Sequence, residues 1–246
     1  MKHSVSFRRC HTMISSFTSV LLASLTALSL ALSGCQSLLP DYDYTQPVPE
    51  SQQREDDWFD NSAVIGHSLM EGFKGFAKVD ADIHYFTDTG ISAKKALSFG
   101  GFDLPDGGTG TLETGLGQKD FDKIYIMLGV NEITTSKESL KEHMAAIVEL
   151  IRDNQPEGIP IYVLNITPTT EKKSASSDFN QKNVKRLNEA LAEVCEEQEC
   201  YLVDLWSCFA DGNGFLPADI STDGVHLTAP EYRVMADYIL SHTVGK

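Results

Sequence analysis

The chain is short of positive charge: 20 Lys and Arg stand against 35 Asp and Glu in 246 residues, a formal net charge of −15. That balance repels phosphate backbones, so nucleic acid is not an expected partner. Cysteine is scarce too. Of the five cysteines, Cys10 and Cys35 sit in the N-terminal stretch and only Cys195, Cys200 and Cys208 remain. Three thiols cannot build a disulfide framework. A Cys195–Cys200 bridge is allowed outside the cytoplasm, but the expectation is plain thiols. There is no His-Glu-x-x-His, no Cys/His cluster and no EF-hand spacing, so nothing in the sequence asks for a metal, and the chemistry is expected to need no cofactor. The one glycine-rich stretch, GGFDLPDGGTGTLETG, neither follows an expected strand nor spells GxGxxG or a GxxxxGK pattern. Phe99 to Gly117 therefore reads as a surface loop and not as a phosphate cradle. No internal repeat occurs.

Charge of either sign is absent from Cys10 to Pro40. Lys2, Arg8 and Arg9 precede this run, which is rich in Leu, Ala, Ser and Thr, so a charged n-region leads into an apolar h-region. The run reaches Leu32-Ser33-Gly34-Cys35, which resembles the lipobox of bacterial lipoproteins. The resemblance implies that residues 1–34 are a signal peptide, that Cys35 is acylated, and that the protein is anchored by lipid to the bacterial cell membrane, facing away from the cytoplasm. The run is also long enough to span a bilayer as an uncleaved anchor. Small residues just before a cysteine fit a peptidase site better. Residues 35–57 then form the lipidated cysteine and a polar tether with three prolines. Residues 58–246 are expected to form one domain, a length that a single α/β unit can fill with a buried core.

Within that domain short apolar runs alternate with longer amphipathic ones, the pattern of a parallel sheet covered by helices on both faces. Strands are expected at Ala63 to Ile65, Asp82 to Phe86, Lys123 to Leu128, Pro160 to Ile166 and Cys200 to Leu205. Helices are expected to start near Ser68, Ser136, Asn180 and Thr228. Leu140, Met144, Ile147, Val148 and Ile151 recur at helical spacing, as do Val184, Leu187, Leu191 and Val194. Thr228 followed by Glu231, with Pro230 between them, has the form of a capping box.

Three segments place a polar or reactive residue where an expected strand stops or a helix begins, the edge at which open α/β sheets bind ligands. Gly66-His67-Ser68-Leu69 puts a serine at a helix start, where serine is also a common cap. Gly129-Val130-Asn131-Glu132 puts an asparagine after a hydrophobic strand. Such a residue is often a turn former, but its amide can donate to an oxyanion when held in place. Asp223-Gly224-Val225-His226 precedes the last helix. A carboxylate three residues before an imidazole can hold one ring nitrogen and leave the other free to take a proton from a serine.

Taken in this order, over about Asp57 to His242, the three segments resemble the blocks of the SGNH, or GDSL-like, hydrolase family. The resemblance implies an α/β fold, a three-layer α/β/α sandwich with a parallel, flavodoxin-like sheet. Gly66-His67-Ser68-Leu69 stands for the family's Gly-Asp-Ser-Leu, with Ser68 as nucleophile. Gly90 in Thr87-Asp88-Thr89-Gly90 stands for the lone block-two glycine, and Asn131 for the asparagine of Gly-x-Asn-Asp. The oxyanion hole implied is then the Ser68 and Gly90 N–H groups with the Asn131 amide, and Asp223 with His226 supplies the orienting acid and the base. Two positions depart from the pattern. His67 replaces an Asp and reads either as a neutral turn residue or as a change in the nucleophile's setting or entrance; Glu132 replaces an Asp conservatively. His84 reads as a packed or edge histidine.

The expected reaction is hydrolysis of a carboxylic ester, with short O-acyl groups such as acetyl, on a small ester or an acylated carbohydrate, as the first candidates. Two rivals use the same frame: an O-acyltransferase in which a sugar hydroxyl takes the acyl group from Ser68, and a non-catalytic glycan-binding lipoprotein.

Overall fold

A computed structural model describes residues 42–245. The signal segment, Cys35 and the first residues of the expected tether lie outside them. The elements run β1 (Ser62–Gly66), α1 (Ser68–Phe76), β2 (Ile83–Thr87), α2 (Ala93–Ala96), β3 (Phe102–Asp103), β4 (Thr109–Gly110), α3 (Leu112–Leu116), β5 (Lys123–Met127), α4 (Lys137–Asn154), β6 (Ile161–Leu164), α5 (Glu171–Ser176), α6 (Gln181–Glu197), β7 (Tyr201–Val203), α7 (Leu205–Phe209) and α8 (Ala229–Ser241). Five strands form one sheet in the order β2-β1-β5-β6-β7, every pair parallel. A parallel pair needs a crossover, and the helices between the strands supply it.

Side chains of a strand point alternately to its two faces, and the sheet uses this to build two cores. Ala63, Ile65, Ile124, Ile126, Ile161, Val163 and Leu202 face one layer, with the buried residues of α2, α3, α4 and α6. Val64, Tyr125, Met127, Tyr162, Leu164, Tyr201 and Val203 face the other, with those of α1, α7 and α8. The result is the α/β/α sandwich expected. All five sheet strands lie within two residues of their expected ends, and the central ones are buried on both faces, which is why they read as unbroken apolar runs. Helix α4 buries Leu140, Met144, Ile147, Val148 and Ile151 along one stripe. On the second face Tyr125, Tyr162 and Tyr201 stand one per strand, ring centroids 4.9 and 5.2 Å apart. Stacking of this kind contributes roughly 0.5–1.5 kcal/mol per pair beyond area burial.

Three expectations need correction. The stretch Phe99 to Gly117 is no loop: β3 and β4 pair antiparallel, and α3 starts at its Thr111 cap. Phe102, Leu112 and Leu116 are each 1% exposed, so this segment roofs part of the first core and the glycines only turn the hairpin. The part of the expected tether from 42 to 57 lies against the domain. Val48 is buried and its N–H donates to Leu202 O at 2.7 Å, along the outer edge of β7, while Ser51 and Arg54 donate to the end of α8. Tyr42 and Tyr44 pack on Tyr201. Prolines and polar residues hid this because a strap that covers an edge strand shows no period. Helix α8 does begin after Thr228, but the Thr228 side chain makes no capping bond. Cys195, Cys200 and Cys208 are free thiols.

Candidate active site

The site is assembled at the C-terminal edge of the sheet. Gly66 ends β1 and pairs in register with Thr87 of β2 and with Met127 of β5, so the three segments that follow these strands emerge side by side. A Cβ on Gly66 would stand 2.4 Å from Met70 Cγ, too close for any side chain. The glycine thus lets α1 turn back tightly onto its own strand, with Ser68 as its first helical residue.

The cap of that helix is His67, not the serine. Its ring Nδ1 accepts the Leu69 N–H at 3.3 Å. Accepting there fixes the neutral imidazole with its proton on Nε2, and Nε2 has no hydrogen-bond partner. His67 is fully buried at the bend between β1 and α1, so its ring does not narrow an entrance. Burial first, and then the nearby His226, lower its pKa to about 3, so the ring is neutral at ordinary pH.

Ser68 Oγ lies 2.7 Å from His226 Nε2. His226 Nδ1 lies 2.8 Å from Asp223 Oδ2. The carboxylate's other oxygen accepts the backbone N–H groups of Val225 and His226, at 3.0 and 2.8 Å. Partial burial would raise the Asp223 pKa, but these bonds from His226 and Val225 outweigh it and bring it down to about 2. An ionised Asp223 requires a proton on His226 Nδ1, which leaves Nε2 free to accept from the serine. The loop holding this pair is itself tied down: Ser221 Oγ donates to His226 O and accepts the Gly224 N–H, and Thr170 N–H donates to Gly224 O.

The residues expected on the oxyanion side come from the neighbouring strand ends. Gly90 has φ +80°, a left-handed conformation that costs a side-chain-bearing residue energy. Among the described residues neither its N–H nor that of Ser68 donates to another group. The Ser68 N–H is one of the donors that the first turn of any helix leaves without a partner. Asn131 follows β5 by four residues, and its Nδ2 donates one hydrogen to Ile91 O at 2.9 Å, leaving a second hydrogen available. Asp88 N–H donates to Gly66 O, so the Gly90 loop is pinned to the end of β1 as well.

Ser68, His226 and Asp223 are therefore joined by hydrogen bonds, and Gly90 and Asn131 lie on adjoining loops of the same sheet edge. The sequence did not mark Glu132 for anything beyond a conservative exchange, yet it is 7% exposed and bonded to backbone. Its position directly after Asn131 was the available signal. His84 sits at the other end of β2, its Nε2 2.9 Å from Asp103 O and its ring against Phe86, a packed edge histidine.

The family model for the GDSL-like lipase/acylhydrolase family matches residues 64–234. No curated protein matches the chain. Among solved structures, a protein of Streptococcus pneumonia superposes with a TM-score of 0.61 at 20% identity, over 73% of this chain and 82% of that one. An acetyl xylan esterase gives 0.56 at 14%, over 74% and 100%. A GDSL-like lipase from Bacteroides thetaiotaomicron VPI-5482 gives 0.53 at 15%, over 72% and 84%.

Proposed function

Because the chain belongs to the GDSL-like lipase/acylhydrolase family and is an SGNH-type hydrolase, we propose that it is a serine esterase with Ser68 as nucleophile, His226 as general base and Asp223 as the group that orients the imidazole. The observation that carries this reading is the continuous chain Ser68 Oγ, His226 Nε2, His226 Nδ1, Asp223 Oδ2, with steps of 2.7 and 2.8 Å. As Ser68 Oγ bonds to the ester carbonyl carbon, its proton passes to His226 Nε2, and Asp223 stabilises the imidazolium that forms. The carbonyl oxygen becomes an oxyanion held by the N–H groups of Ser68 and Gly90 and the free Asn131 N–H. Collapse expels the alcohol, which takes the proton back from His226. Water, activated by the same imidazole, then releases the acid from Ser68.

Short acyl groups are the substrates we favour, acetyl first. One structural neighbour with this fold is an acetyl xylan esterase, and an enzyme anchored outside the cytoplasm through an acylated Cys35 would meet O-acylated polysaccharide. The test is hydrolysis of p-nitrophenyl esters from acetyl to long chains by the full chain in detergent, beside Ser68→Ala. Serine-dependent turnover that falls with acyl length is expected. Turnover unchanged in Ser68→Ala would refute the mechanism. Activity that appears only with an added sugar acceptor, without free acid, would replace hydrolysis by transfer.

A further inference from the structure

Glu132 is an acidic side chain in a place where acid is costly. Its side chain is almost wholly inside the protein, and a carboxylate there must be paired or bonded. Its partners are neither a lysine nor an arginine. Oε2 accepts the Ala93 N–H at 2.7 Å and Oε1 accepts the Lys94 N–H at 3.3 Å, at the start of α2. His143 of α4 also faces it, its buried Nδ1 3.7 Å from Oε1 and without a hydrogen-bond partner. The carboxylate is thus spent on two backbone donors of one loop. The Ala93 bond has the short length of a charge-assisted bond, a kind about twice as strong as a neutral one, and the Lys94 bond is a longer second hold.

The loop concerned is the one that carries Gly90. Ahead of Gly90 the loop is tied to β1 through Asp88 N–H and Gly66 O. Beyond it, Ile91 O takes the Asn131 amide and Ala93 and Lys94 take Glu132. Ile91 and Ala93 are both fully buried, so this end of the loop is packed as well as bonded. Two residues adjacent in sequence, one offering an oxyanion donor and the other a carboxylate, therefore grip the far side of the loop that offers another donor. A backbone N–H cannot be aimed by choosing a rotamer; its direction is set only by where the loop is held.

We propose that Glu132 is a positioning residue for the oxyanion hole: by holding the Ala93 and Lys94 N–H groups it fixes the Gly90 N–H relative to the Asn131 amide. This inference rests on the esterase reading above. A hole whose donors are displaced still binds the planar ester but binds the tetrahedral oxyanion less well, so the effect belongs on kcat and not on KM.

The experiment compares the wild-type chain with Glu132→Gln, Glu132→Asp and Ser68→Ala in p-nitrophenyl acetate hydrolysis. It also measures inhibition by phenylboronic acid, which forms a tetrahedral adduct on a nucleophilic serine. A glutamine can accept from one backbone N–H but presents its own NH2 to the other. Glu132→Gln should lower kcat by about 10- to 100-fold with KM within about twofold, the scale expected when a reacting group is misplaced by roughly 1 Å. The boronate inhibition constant should rise in parallel, and Glu132→Asp, which keeps the charge but shortens the reach, should fall between. Unchanged kcat and unchanged boronate inhibition in Glu132→Gln, with Ser68→Ala inactive, overturns the positioning role and leaves the esterase reading standing. A Glu132→Gln protein that is merely less heat-stable, with kcat intact, overturns it equally. If Glu132→Gln does not fold, Glu132→Asp decides by the same two readouts. An active Ser68→Ala overturns the esterase reading, and this inference with it.

Discussion

His67 gives the most direct test of the physical account, because it is a histidine that the fold keeps from being protonated. Its pKa falls from an ordinary 6.5 to about 3, through burial and the nearby His226. Between those values the unfolded chain binds a proton that the folded chain refuses. The stability that this neutral ring contributes is therefore full above pH 6.5 and drains away as the pH falls toward 3. The slope for one such group is about 1.4 kcal/mol per pH unit, so the loss from about pH 7 to about pH 4.5 is on the order of 2–3 kcal/mol. For a domain whose whole stability is about 5–15 kcal/mol this is a large share. Replacing His67 by Asn keeps a capping side chain but removes the titration. Urea unfolding at a series of pH values should show the wild type losing roughly 2–3 kcal/mol more than His67→Asn over that interval, whatever their difference at pH 7. His84, whose burial also lowers its pKa, acts in the same window but is common to both proteins and cancels. Asp223 is common to both too and titrates lower, between 3.8 and about 2. Parallel pH curves for the two proteins would show that His67 is not held neutral and would refute the reasoning.

Other expectations address other parts of the molecule. Asn131→Ala removes a proposed oxyanion donor and should lower kcat by about 100- to 1000-fold at nearly constant KM, measured on p-nitrophenyl acetate. Val48→Ala should destabilise the domain by roughly 1.5 kcal/mol, read from the urea midpoint, because it deletes two methyl groups of a side chain that is 2% exposed in the strap along β7; a free tether would give no change. Labelled palmitate should enter the wild-type chain expressed in a bacterium and fail to enter Cys35→Ala; equal labelling would move the lipid elsewhere.

Much of the sheet was legible in the sequence because its physics is local and repeated. A strand buried on both faces must be apolar throughout, and a helix against it must repeat its apolar residues with the helical period, so β5 and α4 could be read at once. The shorter parts were hidden for the same reason. A two-residue strand such as β3 or a five-residue helix such as α3 has no room for a period, and its apolar residues Phe102, Leu112 and Leu116 look like isolated ones among glycines. The strap from 42 to 57 was misread because several of its anchors are backbone hydrogen bonds, which leave no trace in residue type, and its few apolar contacts, Tyr42, Tyr44 and Val48, follow no period. The Thr228 box failed differently: the helix begins there, but the expected side-chain bond does not form, so the motif marked a position without supplying its usual stabilisation.

The site divides along a similar line. The residues that touch one another through side chains, Ser68, His226 and Asp223, were legible because the chemistry demands those residue types and the sheet order brings them to one edge. The residues that hold the site in shape were not, because their partners are backbone groups. His67 caps the Leu69 N–H, Glu132 takes those of Ala93 and Lys94, and Ser221 both donates to His226 O and accepts from Gly224. Several residue types can accept a backbone N–H, so nothing at such a position announces its role, and an exchange of Asp for His or Glu looks neutral when read as a letter. In three dimensions the two exchanges differ in kind. His67 brings a neutral ring next to Ser68, the proposed nucleophile, whereas Glu132 keeps the charge and extends the reach of the acid by one methylene. Of the two departures from the family blocks, His67 caps the start of α1, and Glu132 holds the loop that follows Gly90.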